Sequence, residues 1–145
     1  DEVATITYVS GLRRQGLRVQ VVGIAVQSLE GAYGVTIQPD IMLNDALSQA
    51  RKAICVILPF DDAALRRFAC DDRLHSFFQI AWKGGAWFVT QDETEELLRS
   101  LLPNNSRANS ERDIITYSAG DEMVEVVNHL AIQLLAKTTQ KQRKS

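Results

Sequence analysis

Gly85-Ala-Trp-Phe-Val-Thr-Gln-Asp-Glu-Thr-Glu-Glu-Leu-Leu98 is the stretch from which the fold is read. Ala86 to Thr90 follows a Lys83-Gly84-Gly85 turn and is short, apolar and partly β-branched, which predicts a buried strand. Asp92, Glu93, Glu95 and Glu96 crowd the start of a helix reaching Leu102, where carboxylates complement the positive end of the helix dipole. In an open α/β sheet, the carboxyl end of a strand is where function usually sits. The residue at this corner is Gln91, which is neither a nucleophile nor a base.

Outward from the corner, strands and helices alternate. Upstream, Val3, Ile6, Val9 and Leu12 recur at helical spacing over residues 2–15, and Gly16 stops the helix. Leu17 to Ala25, with Val19, Val21, Val22 and Ile24, predicts a strand. A Gly-rich turn, Glu30-Gly-Ala-Tyr-Gly34, leads to a second strand at Val35–Gln38. Pro39-Asp40 ends that strand, and Leu43 to Arg51 predicts a short helix. Ala53-Ile-Cys-Val-Ile-Leu58, closed by Pro59, is a continuous apolar run of the kind found in strands covered on both faces. Asp62 to Trp82 predicts a helix in two pieces joined near Cys70-Asp71-Asp72.

Downstream of the corner, Pro103 to Arg112 is a polar loop and Asp113 to Tyr117 a strand. Asp121 to Ala136 is a last helix with Met123, Val126, Val127, Leu130 and Leu134 on one face, and Lys137 to Ser145 is expected to be a disordered basic tail. The alternation implies an α/β fold with a mostly parallel sheet between helices. A doubly wound sheet opens with a central strand ahead of its first helix. Here that strand is expected to be absent or to lie upstream of Asp1.

Composition narrows the function classes. The 145 residues suit one domain over residues 1–136 plus the tail, and 46% hydrophobic with 23% charged residues are globular values. A net charge of −2 supplies no general pull toward nucleic acid or anionic membrane. Cys55 and Cys70 have neither metal-motif nor disulfide-framework spacing, so an intracellular setting, cytoplasmic and/or nuclear, is expected. No apolar run approaches the roughly 20 residues of a membrane span, and no signal peptide is recognisable.

Three strands each end in an acidic pair that opens a helix: Asp61-Asp62, Asp92-Glu93 and Asp121-Glu122. Such pairs cap helices, and Asp92 with Glu95 has capping-box spacing. The same pairs brought together at one sheet edge would offer hard oxygen ligands to Mg²⁺. His75 and His129 lie in mid-helix, away from any strand end, where a general base has no proton to reach. Cys55 reads as packing, and Cys70 stands beside Asp71 and Asp72, whose charge disfavours a thiolate. No serine sits in a Gly-x-Ser-x-Gly elbow.

Asp1-Glu-Val-Ala-Thr-Ile6 leading to Leu12-Arg-Arg-Gln-Gly16, Val19-Gln-Val-Val-Gly-Ile-Ala25, Val35-Thr-Ile-Gln-Pro-Asp40, Leu43-Asn-Asp-Ala46 and Ile54-Cys-Val-Ile-Leu-Pro59 belong together. With Gly85–Leu98 and Ile114-Ile-Thr-Tyr-Ser118 they resemble the ThiJ/PfpI superfamily, specifically its Parkinsonism-associated deglycase/chaperone branch, over about residues 1–136. The resemblance implies a flavodoxin-like three-layer sandwich, usually dimeric, with a cysteine at the strand-to-helix elbow. In active members a glutamate from the first helix and the backbone of a Gly-Gly pair hold that cysteine. Here the elbow position is Gln91, the glutamate position falls on Ala4 and the Gly-Gly position on Phe60-Asp61. The family segment that carries a histidine in many members shrinks to Pro103–Arg112.

A thiolate nucleophile, its pKa-lowering partner and its oxyanion donors are all needed for that chemistry. Their joint loss implies a domain without catalysis that works as a protein-interaction or dimerisation module. Tyr8, Leu12 and Arg13 on the first helix are the expected contact residues, with Trp82 and Trp87 as a second anchor unless they pack in the core. No cofactor or metal is expected. A protein partner is, either a second copy or a different chain, and nucleic acid only through weak contact with the basic tail. The alternatives are a carboxylate and metal enzyme at the strand ends, or residual deglycase/chaperone-type activity through Cys70.

Overall fold

The computed structural model describes residues 2–24, 29–30, 36–103, 113–118 and 121–143. Helix α1 spans Glu2–Arg14, and Gly16, at φ +88°, provides the left-handed turn that releases the chain toward Leu17. Short strands follow: β1 (Val22–Gly23), β2 (Leu29–Glu30), β3 (Thr36–Ile37) and β4 (Ile41–Met42). Then come α2 (Leu43–Ala46), a 3₁₀ segment at Leu47–Lys52, β5 (Cys55–Ile57), α3 (Asp62–Phe68) and α4 (Asp72–Lys83). The chain continues through β6 (Trp87–Gln91), a 3₁₀ turn at Asp92–Thr94, α5 (Glu95–Leu101), β7 (Ile114–Tyr117) and α6 (Met123–Arg143).

β5, β6 and β7 form a parallel sheet in that order, with Val56 opposite Phe88 and Gln91 opposite Tyr117. β1 pairs in parallel with β4, and β2 pairs antiparallel with β3, each as a separate ladder. The fold is therefore α/β, with parallel strands and helices on both faces of the three-stranded sheet. Alternation along β6 divides the interior: Phe88 joins Leu65, Leu74, Phe78, Trp82 and Leu98 on the face under α3, α4 and α5. Val89 joins Ala4, Tyr8, Leu12, Val127, Leu130 and Leu134 on the face under α1 and α6.

The predicted break near Cys70 is present: α3 ends at Phe68, and Asp71 starts the next helix by accepting a hydrogen bond from Arg73 N at 2.9 Å. The predicted strand at Leu17–Ala25 is regular only at Val22–Gly23, and the helix expected over Leu43–Arg51 turns 3₁₀ after Ala46. The Gly-rich turn before Thr36 and most of Pro103–Arg112 lie outside the described residues. Of the segment expected to be a disordered tail, residues 137–143 are helical, while Lys144 and Ser145 lie outside the described residues. α6 runs on to Arg143, because Lys137 finds partners at the amino edge of the sheet: its Nζ donates to Ile54 O at 3.0 Å and Gly85 O at 2.6 Å.

Candidate functional site at the end of the central strand

The corner after β6 is fixed from within. Thr90 and Thr94 are fully buried and hydrogen-bond to each other through their hydroxyls. Thr94 Oγ1 also donates to Gln91 O at 2.9 Å, closing the 3₁₀ turn. The expected capping box does not form: neither Gln91 nor Thr94 caps with its side chain, and Asp92 instead accepts a hydrogen bond from Ser118 Oγ. That contact ties the end of β6 to the end of β7. The reason is topological, since parallel neighbours finish side by side and offer Asp92 a closer donor than its own helix does.

Gln91 is 7% exposed, and by strand alternation its side chain shares the α1 and α6 face with Trp87 and Val89. Ala4 (2%) and Tyr8 (2%) belong to that same face. The Ala4 and Gln91 positions thus lie on one side of the sheet. Tyr8 and Tyr117 meet edge to face with ring centroids 5.6 Å apart, and the buried phenol oxygen of Tyr8 has no hydrogen-bond partner among the described residues. Burial pushes the Tyr8 phenol well above its ordinary value, and the negative charges that Tyr117, Cys55 and Asp121 can carry push the same way. Burial raises Tyr117 too, opposed by the Gln91 side chain across the ladder.

Phe60 belongs to the opposite side, where it packs half-buried on Phe68 at a centroid distance of 5.1 Å. Asp61 Oδ1 accepts from Ala64 N at 2.8 Å, the N-cap of α3 that its sequence position implies. Nothing at these positions is a thiol, and the backbone after Leu58-Pro59 carries an aromatic side chain.

The three strand-end aspartates each have another hydrogen-bond partner. Asp61 caps α3, Asp92 accepts from Ser118, and Asp121 Oδ2 accepts from Ser118 N at 2.9 Å. Among the described residues no three His, Cys, Asp or Glu side chains are placed to share one ion. His75 lies 3.4 Å from Gln79 Nε2, and His129 is exposed beside a cavity of about 140 Å³. Cys70 is exposed, with its thiol 3.8 Å from Arg66 O.

Most of the expected contact surface is corrected. Tyr8 and Leu12, each 2% exposed, face the sheet, and Trp82 (3%) packs edge to face on Phe88 at 5.9 Å. Helical spacing finds the apolar face of α1 but cannot say which neighbour covers it. Trp87 is half-buried under Lys137, while Arg13 donates to Val19 O at 2.8 Å and pairs with Asp40 at 2.9 Å. The apolar residues that α1 does present to solvent are Val3 (57%) and Ile6 (43%). On its neighbour α6 they are Val124, Ile132 and Leu135.

A feature the sequence reading missed lies beside the end of β1. A cavity of about 440 Å³ is lined by Ile24, Met42, Arg67, Phe68 and Asp71, among others. Arg73 forms its wall, paired with Asp71 at 2.7 Å and donating to Asn44 Oδ1 and Ile24 O. These residues are far apart in sequence and carry no motif. Among the described residues, no helix is long and apolar enough to cross a membrane. No family model matches the chain, and neither does any of the curated proteins or solved structures compared with it.

Proposed function

We propose that this chain is a catalytically inactive α/β domain of the ThiJ/PfpI type, a flavodoxin-like sandwich that acts as a protein-interaction module and pairs first of all with a second copy of itself. The observation that carries this reading is the chemistry at the end of β6. Gln91 is buried on the same face as Ala4, so these two positions hold an amide and a methyl group where hydrolytic chemistry needs a thiolate and a carboxylate. The scaffold around it is kept, with Thr90 and Thr94 holding the turn and Asp61 capping the next helix.

Partner contact is favoured by exposed Val3 and Ile6, one helical turn apart on α1, together with Val124 on α6. Multi-angle light scattering over a range of concentrations tests the reading. A dimer is expected, and Val3→Asp with Ile6→Asp is expected to shift it to monomer while the circular dichroism spectrum is kept. A wild-type chain that stays monomeric at every concentration sinks the proposal.

A further inference from the structure

The cavity of about 440 Å³ beside the end of β1 has walls that divide by chemistry. Ile24 directly follows β1, and Met42 ends β4, its parallel partner. Crevices outside the carboxyl ends of parallel strands are where open α/β sheets hold their ligands. With the Phe68 ring, these two side chains form the apolar part of the lining. Ile24 and Phe68 pack with the interior under α3, α4 and α5, whereas Ala4 and Val89 belong to the other interior. The cavity is therefore separate from the corner at Gln91, and its volume is that of a small-molecule site.

The polar part carries one uncommitted positive charge. Asp71 is the carboxylate of the lining, and Arg73 engages both its oxygens: Nε donates to Oδ1 at 3.1 Å and Nη2 to Oδ2 at 2.7 Å. Arg73 also donates to Asn44 Oδ1 at 3.1 Å and to Ile24 O at 3.2 Å. It is thus a strut joining α4, α2 and the end of β1. Asn44 can accept from a guanidinium only through its oxygen, so its amide N–H groups remain as donors. Arg67 differs from Arg73. Its guanidinium lies over the Phe68 ring, 5.3 Å from the centroid, and has no carboxylate partner among the described residues. Its neighbour Arg66 is paired, with Asp62. A ring under the guanidinium orients it and leaves its N–H edge open to an anion.

We propose that this cavity binds a small carboxylate with an apolar body, its carboxylate on Arg67 and Asn44 and its body among Ile24, Met42 and Phe68. The guanidinium fork matches a carboxylate with two parallel N–H···O bonds. A cationic ligand would meet two arginines and a carboxylate that Arg73 already holds. A neutral ligand would leave the Arg67 charge unanswered, and a bare inorganic anion would leave the apolar lining uncovered. The site stands apart from the inactive-module reading, since it uses neither the Gln91 corner nor the exposed residues of α1 and α6.

Titration of the ¹⁵N-labelled chain with phenylacetate, followed by NMR, tests this. Saturable shifts are expected at the Asn44, Phe68 and Arg73 amides and not at Gln91. Phenylacetamide has the same shape without the charge, and inorganic phosphate has charge without the body. Each is expected to bind at least about tenfold more weakly than phenylacetate. Arg67 is exposed, so Arg67→Met is expected to keep the fold. It is expected to weaken phenylacetate at least about tenfold, to the level of phenylacetamide, and Arg67→Lys to recover part of the loss. The proposal is overturned by the absence of saturable shifts up to about 10 mM phenylacetate, or by shifts centred on another part of the chain. Equal binding of phenylacetamide or phosphate, or an Arg67→Met variant that binds phenylacetate as the parent does, overturns it as well.

Discussion

Lys137 holds its ammonium 4.5 Å from the centroid of the Trp87 ring while donating to the carbonyls of Ile54 and Gly85. One side chain therefore fastens α6 to the amino edge of β5 and β6. The two carbonyls satisfy the charge and the indole covers its stem, a combination stronger than an exposed ion pair. Lys137→Met keeps the stem and removes the charge. It is expected to cost about 1–3 kcal/mol in urea unfolding. An unchanged midpoint would mean that the end of α6 is not held in this way.

Gly11 lies where α1 crosses α6, and a β-carbon there would collide with Val127 Cγ1. Alanine is otherwise favoured over glycine in a helix by about 1 kcal/mol, so two effects of opposite sign compete at this site. Val127 is 1% exposed and cannot turn aside. Gly11→Ala is thus expected to destabilise by about 1–3 kcal/mol as an overpacked contact. Adding Val127→Ala is expected to recover part of that loss, a coupling a double-mutant cycle measures. Strictly additive effects would contradict the close crossing.

What was legible in the sequence follows from range. The helix stop at Gly16, the break at Asp71 and the cap at Asp61 are local events, each decided within a few residues. The division of the interior by Phe88 and Val89 follows from strand alternation alone. The partner of Asp92 is hidden from local reading because its donor, Ser118, lies 26 residues away, just after β7. The anchoring of Lys137 is hidden for the same reason, since its acceptors are Ile54 and Gly85. Periodicity puts Tyr8 and Leu12 on one face of α1 but does not say what covers that face. At the candidate site, residue types could be read directly, and the absence of a thiol at Gln91 needs no coordinates. The unpaired phenol of Tyr8 needed the packing of α1 on β7.

Tyr8 ties stability to pH. Its phenol has no hydrogen-bond partner among the described residues and is held above its ordinary pKa of 10.0 by burial first and nearby negative charge second. The folded chain keeps a proton that the unfolded chain releases near pH 10, so this contribution is complete below that value and is lost as pH rises beyond it. Cys55, pushed by burial from 9.0 up to about 12 and only partly relieved by Lys137, adds the same slope from a lower pH. Tyr8→Phe removes an unsatisfied hydroxyl and is expected to gain about 1 kcal/mol at pH 7. It is also expected to flatten the stability loss above pH 10 while leaving the Cys55 part. A neutral-pH loss of stability, seen by chemical denaturation, would show that the hydroxyl is satisfied after all.

Gln91→Cys asks whether the corner of β6 still prepares a nucleophile. A thiol placed there would be nearly as buried as Gln91 is, on a face where position 4 holds an alanine rather than a carboxylate. Burial without a cation or helix dipole aimed at the sulfur raises a thiol's pKa, and the thiolate is the reactive form. In a Cys70→Ser background, the new thiol is expected to label with iodoacetamide at pH 7 at least about tenfold more slowly than a free cysteine. Cys55→Ser identifies any residual signal from the sheet. Adding Ala4→Glu supplies a neighbouring carboxyl but leaves Phe60-Asp61 after β5, so the oxyanion donors are still missing and no esterase or deglycase turnover is expected. Rapid, selective labelling of Gln91→Cys alone would show a corner still poised for catalysis, and the inactive-module reading would fall with it.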